Sequence, residues 1–267
     1  IIVGDIGNTE TKICLVNSKK KIIKRINFNT KQITSKLLKK ELFDLREKRK
    51  KITKCLFCSV VPSSFKKIQN FFLRNYNIKC HELKTLKLKQ LINIKVNYKQ
   101  IGSDRLANAI SVINKKDNFI ILDFGTATTF DVLIKNTYYG GVIAPGVKLS
   151  LNTLINKATL IPNIDLKKIS KVIGSNTITA VRAGFFWGYA GLIDNIINLI
   201  KKETKKSFKI IITGGYSDLF KNSINTKVII NKDITVKGLI KACLLYTSDA
   251  ADDSLRVDLG GRRIIKK

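Results

Sequence analysis

Two kinds of segment alternate along this chain. Short apolar runs bounded by glycine or polar turns predict buried strands, as in IIVGDIG at the start, CLFCSVV at 55–61 and KIIITGG at 209–215. Longer stretches carry apolar residues at helical spacing, at about 31–50, about 63–76, from GSDR at 102 onward and over 175–203. Because strands and helices alternate throughout, the sequence predicts an α/β fold.

One strand-turn-strand pattern occurs twice. The segment IIVGDIGNTETKICLV predicts a hairpin around a Gly-Asn-Thr turn, and FIILDFGTATTFDVLI repeats the pattern near residue 119. An offset of 118 residues aligns three pairs, Asp5 with Asp123, Gly7 with Gly125 and Thr11 with Thr129. The repeat predicts two related halves, which we assign to residues 1–115 and 116–243.

The charge balance is extreme, with 50 Lys+Arg against 19 Asp+Glu and a formal net charge of +31. Such a field attracts polyanions and anionic metabolites alike. The basic residues form short runs at 19–25, 46–51 and 201–206, between apolar-periodic segments. The runs contain no aromatic residue for base stacking, which favours solvated faces and biased codon usage. We therefore expect no specific nucleic-acid partner, with a nucleic-acid-associated regulator kept as an alternative.

The five cysteines are an odd number, and no secretory leader is visible, so we expect a reducing compartment, the cytoplasm. Cys55 and Cys58 form a C-x-x-C, but no second pair follows, and His81 has no spaced partner. Core packing is the favoured interpretation of these residues over metal binding. No run reaches the roughly 18 apolar residues that cross a bilayer, so no membrane association is predicted.

The first repeat, DIGNTETK, has the groups that hold a phosphate tail. Gly7 permits close backbone approach, while Asn8 and Thr9 can donate hydrogen bonds and Lys12 can meet a phosphate. Alone, this motif fits an ordinary hairpin turn equally well. The second copy, DFGTATTFD, adds a carboxylate, a glycine and three threonines on a similar turn, which predicts a nucleotide gripped from both sides.

GSDR at 102–105 places an acid beside a cation at the start of a predicted helix. Asp104 can accept the proton of a substrate hydroxyl, and Arg105 can pair with a carboxylate. A capping Asp next to a surface Arg is the alternative interpretation of this motif in isolation.

The ordered set DIGNTETK, GSDRLANA, DFGTATTFDV, GGVIAPG, SNT and TGGY resembles the type III pantothenate kinases from residue 1 to about 243. These enzymes belong to the acetate and sugar kinase, Hsp70 and actin superfamily. The resemblance implies two ribonuclease H-like, actin-like halves, each a mixed sheet flanked by helices. It also implies ATP-dependent phosphorylation of pantothenate to 4'-phosphopantothenate, the first step of coenzyme A biosynthesis.

The resemblance further implies roles for individual residues. ATP, with Mg²⁺, would be bound by Asp5, Ile6, Gly7, Asn8, Thr9, Glu10, Thr11, Lys12 and Thr126. Asp123 would hold a monovalent cation, K⁺ or NH₄⁺. The pantothenate site would be lined by Gly102, Ser103, Asp104 and Arg105, with Asp104 as general base. Thr177 of the facing subunit would also contact pantothenate, in a homodimer with its active site at the interface.

Two features depart from the family pattern. Tyr98 lies only four residues before Gly102, and the segment VNYKQIGSDR contains no Pro, which leaves the role of this tyrosine open. Residues 244–267 hold no Asn, only two Lys and four Asp, and resemble a translated sequencing adapter, so we expect a non-native tail. Another kinase or phosphatase of the superfamily, or a chain made unstable by this tail, are the remaining alternatives.

Overall fold

The computed structural model describes residues 1–42 and 52–257, with only the helical backbone beyond Leu245. Within these residues the strands are β1 Ile2–Ile6, β2 Glu10–Val16, β3 Ile22–Asn29, β4 Cys55–Ser59, β5 Cys80–Glu82, β6 Asn93–Ile94, β7 Asn118–Phe124, β8 Ala127–Ile134, β9 Thr137–Pro145, β10 Lys209–Gly214 and β11 Val228–Ile230. The helices are α1 Ser35–Glu41, α2 Pro62–Tyr76, α3 Ser103–Val112, α4 Val147–Lys157, α5 Thr177–Thr204, α6 Ser217–Phe220 and α7 Ile234–Val257.

The predicted elements are largely present. The predicted helix at about 31–50 is shorter in the described part, with a 3₁₀ turn at Thr30–Gln32 followed by α1. The basic run at 46–51 lies outside the described residues. The run at 19–25 leads into β3, an edge strand whose exposed Arg25 and Asn27 alternate with more buried side chains. Charged side chains on an edge strand protect it against pairing with other chains.

The chain divides into two compact units. Unit 1 contains Ile1–Leu91, Gly102–Ser111 and the segment from Thr235 onward, and unit 2 contains Ile92–Ile101 and Val112–Ile234. The assignment of residues 1–115 and 116–243 to two related halves stays a prediction.

Unit 1 is built on a five-stranded sheet in the order β3-β2-β1-β4-β5. Strand β1 is antiparallel to β2 and parallel to β4, and β5 continues the parallel part. Both β1 and β4 are almost wholly buried, as their apolar runs predict. The core includes Phe57 of β4 and Phe72 of α2, whose ring centroids lie 6.3 Å apart.

Unit 2 repeats this arrangement. Its sheet has the order β11-β10-β7-β8-β9-β6. The five strands β9-β8-β7-β10-β11 correspond in order to β3-β2-β1-β4-β5 of unit 1, and β6 is an additional edge strand. Strand β7 is antiparallel to β8 and parallel to β10, as β1 is to β2 and β4. The long helix α5 contributes Phe186, Ile193 and Ile197 to its core. The prediction of two related halves, each a mixed sheet with helices, is confirmed.

The two hairpins differ by one residue in their turns. In unit 1, Ile6 pairs with Thr11, whereas in unit 2 Phe124 pairs with Thr128. The offset of 118 residues therefore aligns the first strands of the two hairpins correctly. The second strands align with an offset that is one residue smaller, so Thr11 does not correspond to Thr129. Thr11 and Thr128 are the structural counterparts, and both are fully buried.

Helices α3 and α7 pack closely in unit 1. A Cβ at Gly238 of α7 would overlap the carbonyl oxygen of Ala107, so this position requires glycine. The hydroxyl of Thr235 lies 2.7 Å from Asn108 Oδ1, to which it donates. The helix that carries the GSDR motif is thus held by the last described helix of the chain.

All five cysteines are buried. In the part of the chain that the structure describes, no group of three or more His, Cys, Asp or Glu is arranged to hold a metal ion. No described helix is both long and apolar enough to cross a membrane.

Candidate active site

The first hairpin turn presents backbone and polar groups to solvent. Asn8, Thr9 and Glu10 are exposed, and the turn closes through a 3.0 Å hydrogen bond from Gly7 N–H to the carbonyl of Glu10. A Cβ at Gly7 would lie 3.1 Å from that same carbonyl oxygen, so a larger residue would crowd the turn. The turn offers the close backbone approach that a phosphate group needs.

Thr11 supports the turn from below. Its hydroxyl is buried and lies 2.9 Å from that of Thr30, which donates a 2.7 Å hydrogen bond to the carbonyl of Gly7. The backbone N–H of Thr30 also donates to the carbonyl of Thr9. Thr11 and Thr30 therefore fix the shape of the turn from inside the unit, while Asn8 and Thr9 face outward.

Asp5 lies at the end of β1, directly across from Lys12 on β2 and Cys58 on β4. Burial and the charge of Asp104 raise the pKa of the Asp5 carboxyl to about 6. A hydrogen bond from the Cys58 thiol and the charge of Lys12 act in the opposite direction. Two carboxylates whose charges interact favour a bound cation.

The GSDR motif begins α3 as predicted, with Asp104 in the first turn of the helix. Asp104 Oδ1 accepts a 2.8 Å hydrogen bond from the backbone N–H of Arg105. A Cβ at Gly102 would overlap the same carboxylate oxygen, so glycine leaves room for it. Both Asp104 and Arg105 are partly exposed, as residues that meet a substrate must be.

Ser103 points away from solvent. It is 1% exposed, accepts a 2.7 Å hydrogen bond from Ser59 N–H and donates a 3.0 Å hydrogen bond to Ser59 C=O. Its hydroxyl therefore ties the start of α3 to the end of β4. The structure brings Ser103 into the site region as a support of the helix rather than as an exposed group.

Two residues of this region were not among the predicted site residues. Cys58, at the end of β4, is fully buried and donates from Sγ to Asp5 Oδ1 over 3.3 Å. Burial and the charges of Asp5 and Asp104 raise the pKa of this thiol well above its usual range. Glu82, at the end of β5, accepts a 2.7 Å hydrogen bond from Lys84 N–H, and burial raises its pKa. The sequence signal was present for Cys58, in the C-x-x-C, but it indicated packing.

The second hairpin places its acid in the corresponding position in unit 2. Asp123 lies near the end of β7, across from Thr129 on β8 and Thr213 on β10. Thr126 is exposed at the turn, next to Gly146, where a Cβ would overlap the Thr126 carbonyl. The carboxylate and threonine oxygens are the hard donors that suit an alkali cation.

The TGGY segment follows β10 in unit 2. Gly214 has φ of 84°, and a Cβ there would lie 2.5 Å from the carbonyl of Phe124. Gly215 N–H donates a 3.1 Å hydrogen bond to that carbonyl, which holds the segment against the end of β7. Thr177 is an exposed residue at the start of α5, between the two residues of a capping box, Asn176 and Thr179.

The predicted residues thus fall into two sets. In unit 1 lie Asp5, Ile6, Gly7, Asn8, Thr9, Glu10, Thr11 and Lys12 together with Gly102, Ser103, Asp104 and Arg105. In unit 2 lie Asp123, Thr126 and Thr177. Unit 1 alone combines a phosphate-type turn, a cation on β2 and two neighbouring carboxylates, which is the chemistry of phosphoryl transfer to a hydroxyl group.

Solved structures share this fold. A Campylobacter jejuni protein described as a Baf family transcriptional activator has a TM-score of 0.58 at 16% identity, covering 93% of this chain and 100% of that chain. A ROK family glucokinase from Streptomyces griseus, in complex with glucose and AMPPNP, has a TM-score of 0.50 at 11% identity, covering 93% of this chain and 99% of that chain. At these identities the likeness shows the fold alone.

The sequence comparisons are more specific. The model of the type III pantothenate kinase family matches residues 1–199. A type III pantothenate kinase of Pelagibacter ubique (strain HTCC1062) is 74% identical over 245 residues, which are 92% of this chain and 99% of that relative. The predicted site residues of both units, from Asp5 to Thr177, lie within residues 1–199. This chain belongs to the type III pantothenate kinase family.

Proposed function

We propose that this protein transfers the γ-phosphate of ATP to the primary hydroxyl of pantothenate, giving 4'-phosphopantothenate for coenzyme A synthesis. The observation that carries the proposal is the partly exposed Asp104 carboxylate in the first turn of α3, held by the Arg105 N–H in the same unit as the exposed turn of Gly7 to Glu10. Family membership supplies the acceptor, and the site supplies the groups for in-line transfer to a hydroxyl.

Asp104 is the proposed general base. Its carboxylate is partly exposed and is oriented by the backbone N–H of Arg105, so it can accept the proton of the attacking hydroxyl. The next residue, Arg105, is proposed to pair with the pantothenate carboxylate. Gly102 keeps the approach to Asp104 open, and Ser103 fixes the start of the helix.

The first hairpin is the proposed ATP phosphate site, with Thr126 from the second. The exposed backbone of Gly7 to Glu10 can approach the phosphates, and Lys12 offers a positive charge across from Asp5. In this proposal Thr11 acts through the Thr30 hydrogen bond that shapes the turn. Positioning and charge compensation supply most of the catalytic effect in this reaction class.

Two cations fit the acids of the site. Asp5 is proposed to meet Mg²⁺, directly or through water, because it lies near the end of β1 beside the proposed phosphate turn and carries a carboxylate. Bound Mg²⁺ neutralises charge on the phosphate oxygens. Asp123, with threonine oxygens on both neighbouring strands, is proposed to hold K⁺ or NH₄⁺.

A homodimer is proposed from the outer face of α5. Thr177 shares one helical face with three exposed glycines, Gly184, Gly188 and Gly191, and no described atom lies within 4 Å of a Cβ built on any of them. Ile173, just before the helix, is 88% exposed and Ile178 is 38% exposed. A second copy packed on this surface would bury these side chains and bring Thr177 toward the partner's substrate.

The sequence supports three further proposals, on location, nucleic-acid binding and the C-terminal residues. The odd number of cysteines supports a cytoplasmic location. The lack of aromatics in the basic runs supports the proposal of no specific nucleic-acid partner. The composition of residues 244–267 supports a tail foreign to the enzyme, and a chain ending at Cys243 that keeps full activity and stability would agree with it.

The test is a coupled assay of the full chain with ATP, Mg²⁺ and pantothenate, with and without K⁺. We expect phosphopantothenate only with ATP, and faster turnover with K⁺. A folded chain that binds ATP but phosphorylates other alcohols and not pantothenate would be another kinase of the superfamily. Turnover that is indifferent to K⁺ would remove the role proposed for Asp123 and leave the reaction in place.

A further inference from the structure

The end of β4 contacts both the strand that carries Asp5, β1, and the helix that carries Asp104, α3. Strands β1 and β4 are parallel, and their register places Cys58 beside Asp5 and Ser59 beside Ile6. Cys58 donates from Sγ to Asp5 Oδ1 over 3.3 Å. Ser59, the next residue, exchanges two backbone hydrogen bonds with the hydroxyl of Ser103, which precedes Asp104.

The surroundings of Cys58 leave its thiol few other roles. Its side chain is 0% exposed, so it meets neither substrate nor solvent. The aromatic ring of Phe57, the preceding residue, packs on the opposite face of the sheet in the core of unit 1, since successive side chains alternate. Cys58 thus belongs to the face of the sheet on which Asp5 lies.

The hydrogen bond restricts the Asp5 side chain. A carboxylate at a strand end rotates between several orientations unless donors hold it, and each orientation places its oxygens differently. With Oδ1 held by the thiol, rotation of the whole Asp5 carboxylate is restricted. The second acid, Asp104, is held independently through Ser103 and Ser59, so two consecutive residues of β4 set the relative placement of both carboxylates.

We propose that Cys58 is a positioning residue for phosphoryl transfer, whose thiol holds the Asp5 carboxylate in a fixed orientation beside Asp104. The proposal rests on the proposed function and extends it to a buried residue that touches neither substrate. Because a thiol is a weak donor of moderate size, serine can replace its hydrogen bond while alanine cannot. Alanine and serine therefore form a pair of nearly equal volume that differs in the donor.

The experiment compares Cys58→Ala and Cys58→Ser in the full chain, with Cys80→Ala as a control that removes a buried thiol from the neighbouring strand β5. We measure kcat and KM for pantothenate, thermal unfolding, and calorimetric binding of a non-hydrolysable ATP analogue with and without Mg²⁺. We expect Cys58→Ala to lower kcat about tenfold with a nearly unchanged KM. Cys58→Ser should recover most of the loss, and Cys80→Ala should retain kcat.

Binding provides a readout that does not depend on turnover. Cys58→Ala should weaken binding of the Mg²⁺ complex several-fold relative to Cys58→Ser, and leave binding of the metal-free analogue unchanged. Equal kcat and equal Mg²⁺-dependent binding in the alanine and serine variants would overturn the proposal, as would a loss that follows only the drop in thermal stability. If the wild-type chain does not phosphorylate pantothenate, the proposed function fails, and the binding comparison still decides the role of Cys58.

Discussion

Burial and the charge of Asp104 together raise the pKa of Asp5, although the two residues come from α3 and β1, far apart in the sequence. The fold of unit 1 therefore concentrates negative charge at one strand end. Repulsion between the carboxylates lowers the free energy of unfolding in the absence of ligands, and bound cations raise it.

Removing the charge of Asp104 tests its role as base. We expect Asp104→Asn to lower kcat by about 10²- to 10⁴-fold, because a general base contributes an effect of that size. Binding of the ATP analogue, followed by calorimetry, should change little. A variant with a raised KM for pantothenate and an unchanged kcat would contradict the assignment. Arg105→Lys is the matched contrast, since loss of bidentate pairing should raise KM for pantothenate more than it lowers kcat.

Removing the charge of Asp5 tests the cost of the ionised site. The pKa of Asp5 is raised from 3.8 to about 6 in the folded chain, so folding binds protons between these values and the contribution of Asp5 to stability falls as pH rises. Without nucleotide or metal, Asp5→Asn should increase the free energy of unfolding by about 2 kcal/mol at pH 8. The gain should vanish below about pH 4.

Chemical denaturation at a series of pH values measures this difference. Asp117→Asn is the control of opposite sign, because the pKa of Asp117 is lowered, chiefly by a hydrogen bond from Lys209. That exposed variant should lose a little stability at neutral pH. An Asp5→Asn gain that is the same at pH 4 and pH 8 would show that charge is not its cause.

A charge on the outer face of α5 tests the proposed dimer. Gly188→Glu should shift the mass measured by light scattering from dimer to monomer, because a bulky anion would stand where a second copy approaches. Activity should fall with it, since Thr177 would no longer reach the partner's site. Leu73→Glu, at an exposed apolar residue of α2, is the control and should keep the wild-type mass. A wild-type chain that is monomeric and active would overturn the proposal.

The contact of α7 with α3 makes a prediction about packing. Gly238→Ala should lower the free energy of unfolding by about 2 kcal/mol, because its Cβ overlaps the Ala107 carbonyl and the helices must separate. Gly215→Ala is the matched change at an open position away from α5 and should leave the free energy of unfolding nearly unchanged. Equal denaturation midpoints for the two variants would contradict this account.

Much of the fold follows from local patterns. The apolar runs of β1, β4, β7 and β10 and the helical periodicity of α2 and α5 indicated these elements because each buries a whole strand or one helical face. The short strands β5 and β6 and the edge strand β3 were not indicated, since few or half of their side chains are buried. The one-residue difference between the hairpins depends on turn geometry, which an ungapped alignment does not contain.

The candidate site was predicted less completely than the fold. Charged residues such as Asp5 and Asp104 were predicted because each lies in a recognisable short motif. Cys58 and the support that Ser103 receives from Ser59 were not, because both depend on which strand lies beside β1. Strand order is a long-range property, and a buried thiol in an apolar run has the same appearance whether or not it faces a carboxylate.

The position of Gly238 against Ala107 has a consequence for synthesis of the protein. Unit 1 includes the first residues of the chain but needs the segment from Thr235 to cover α3. A ribosome will have completed all of unit 2 before that segment emerges. Unit 2 is therefore able to fold during translation while the N-terminal sheet still lacks its closing helix, so the half synthesised first is the one completed last.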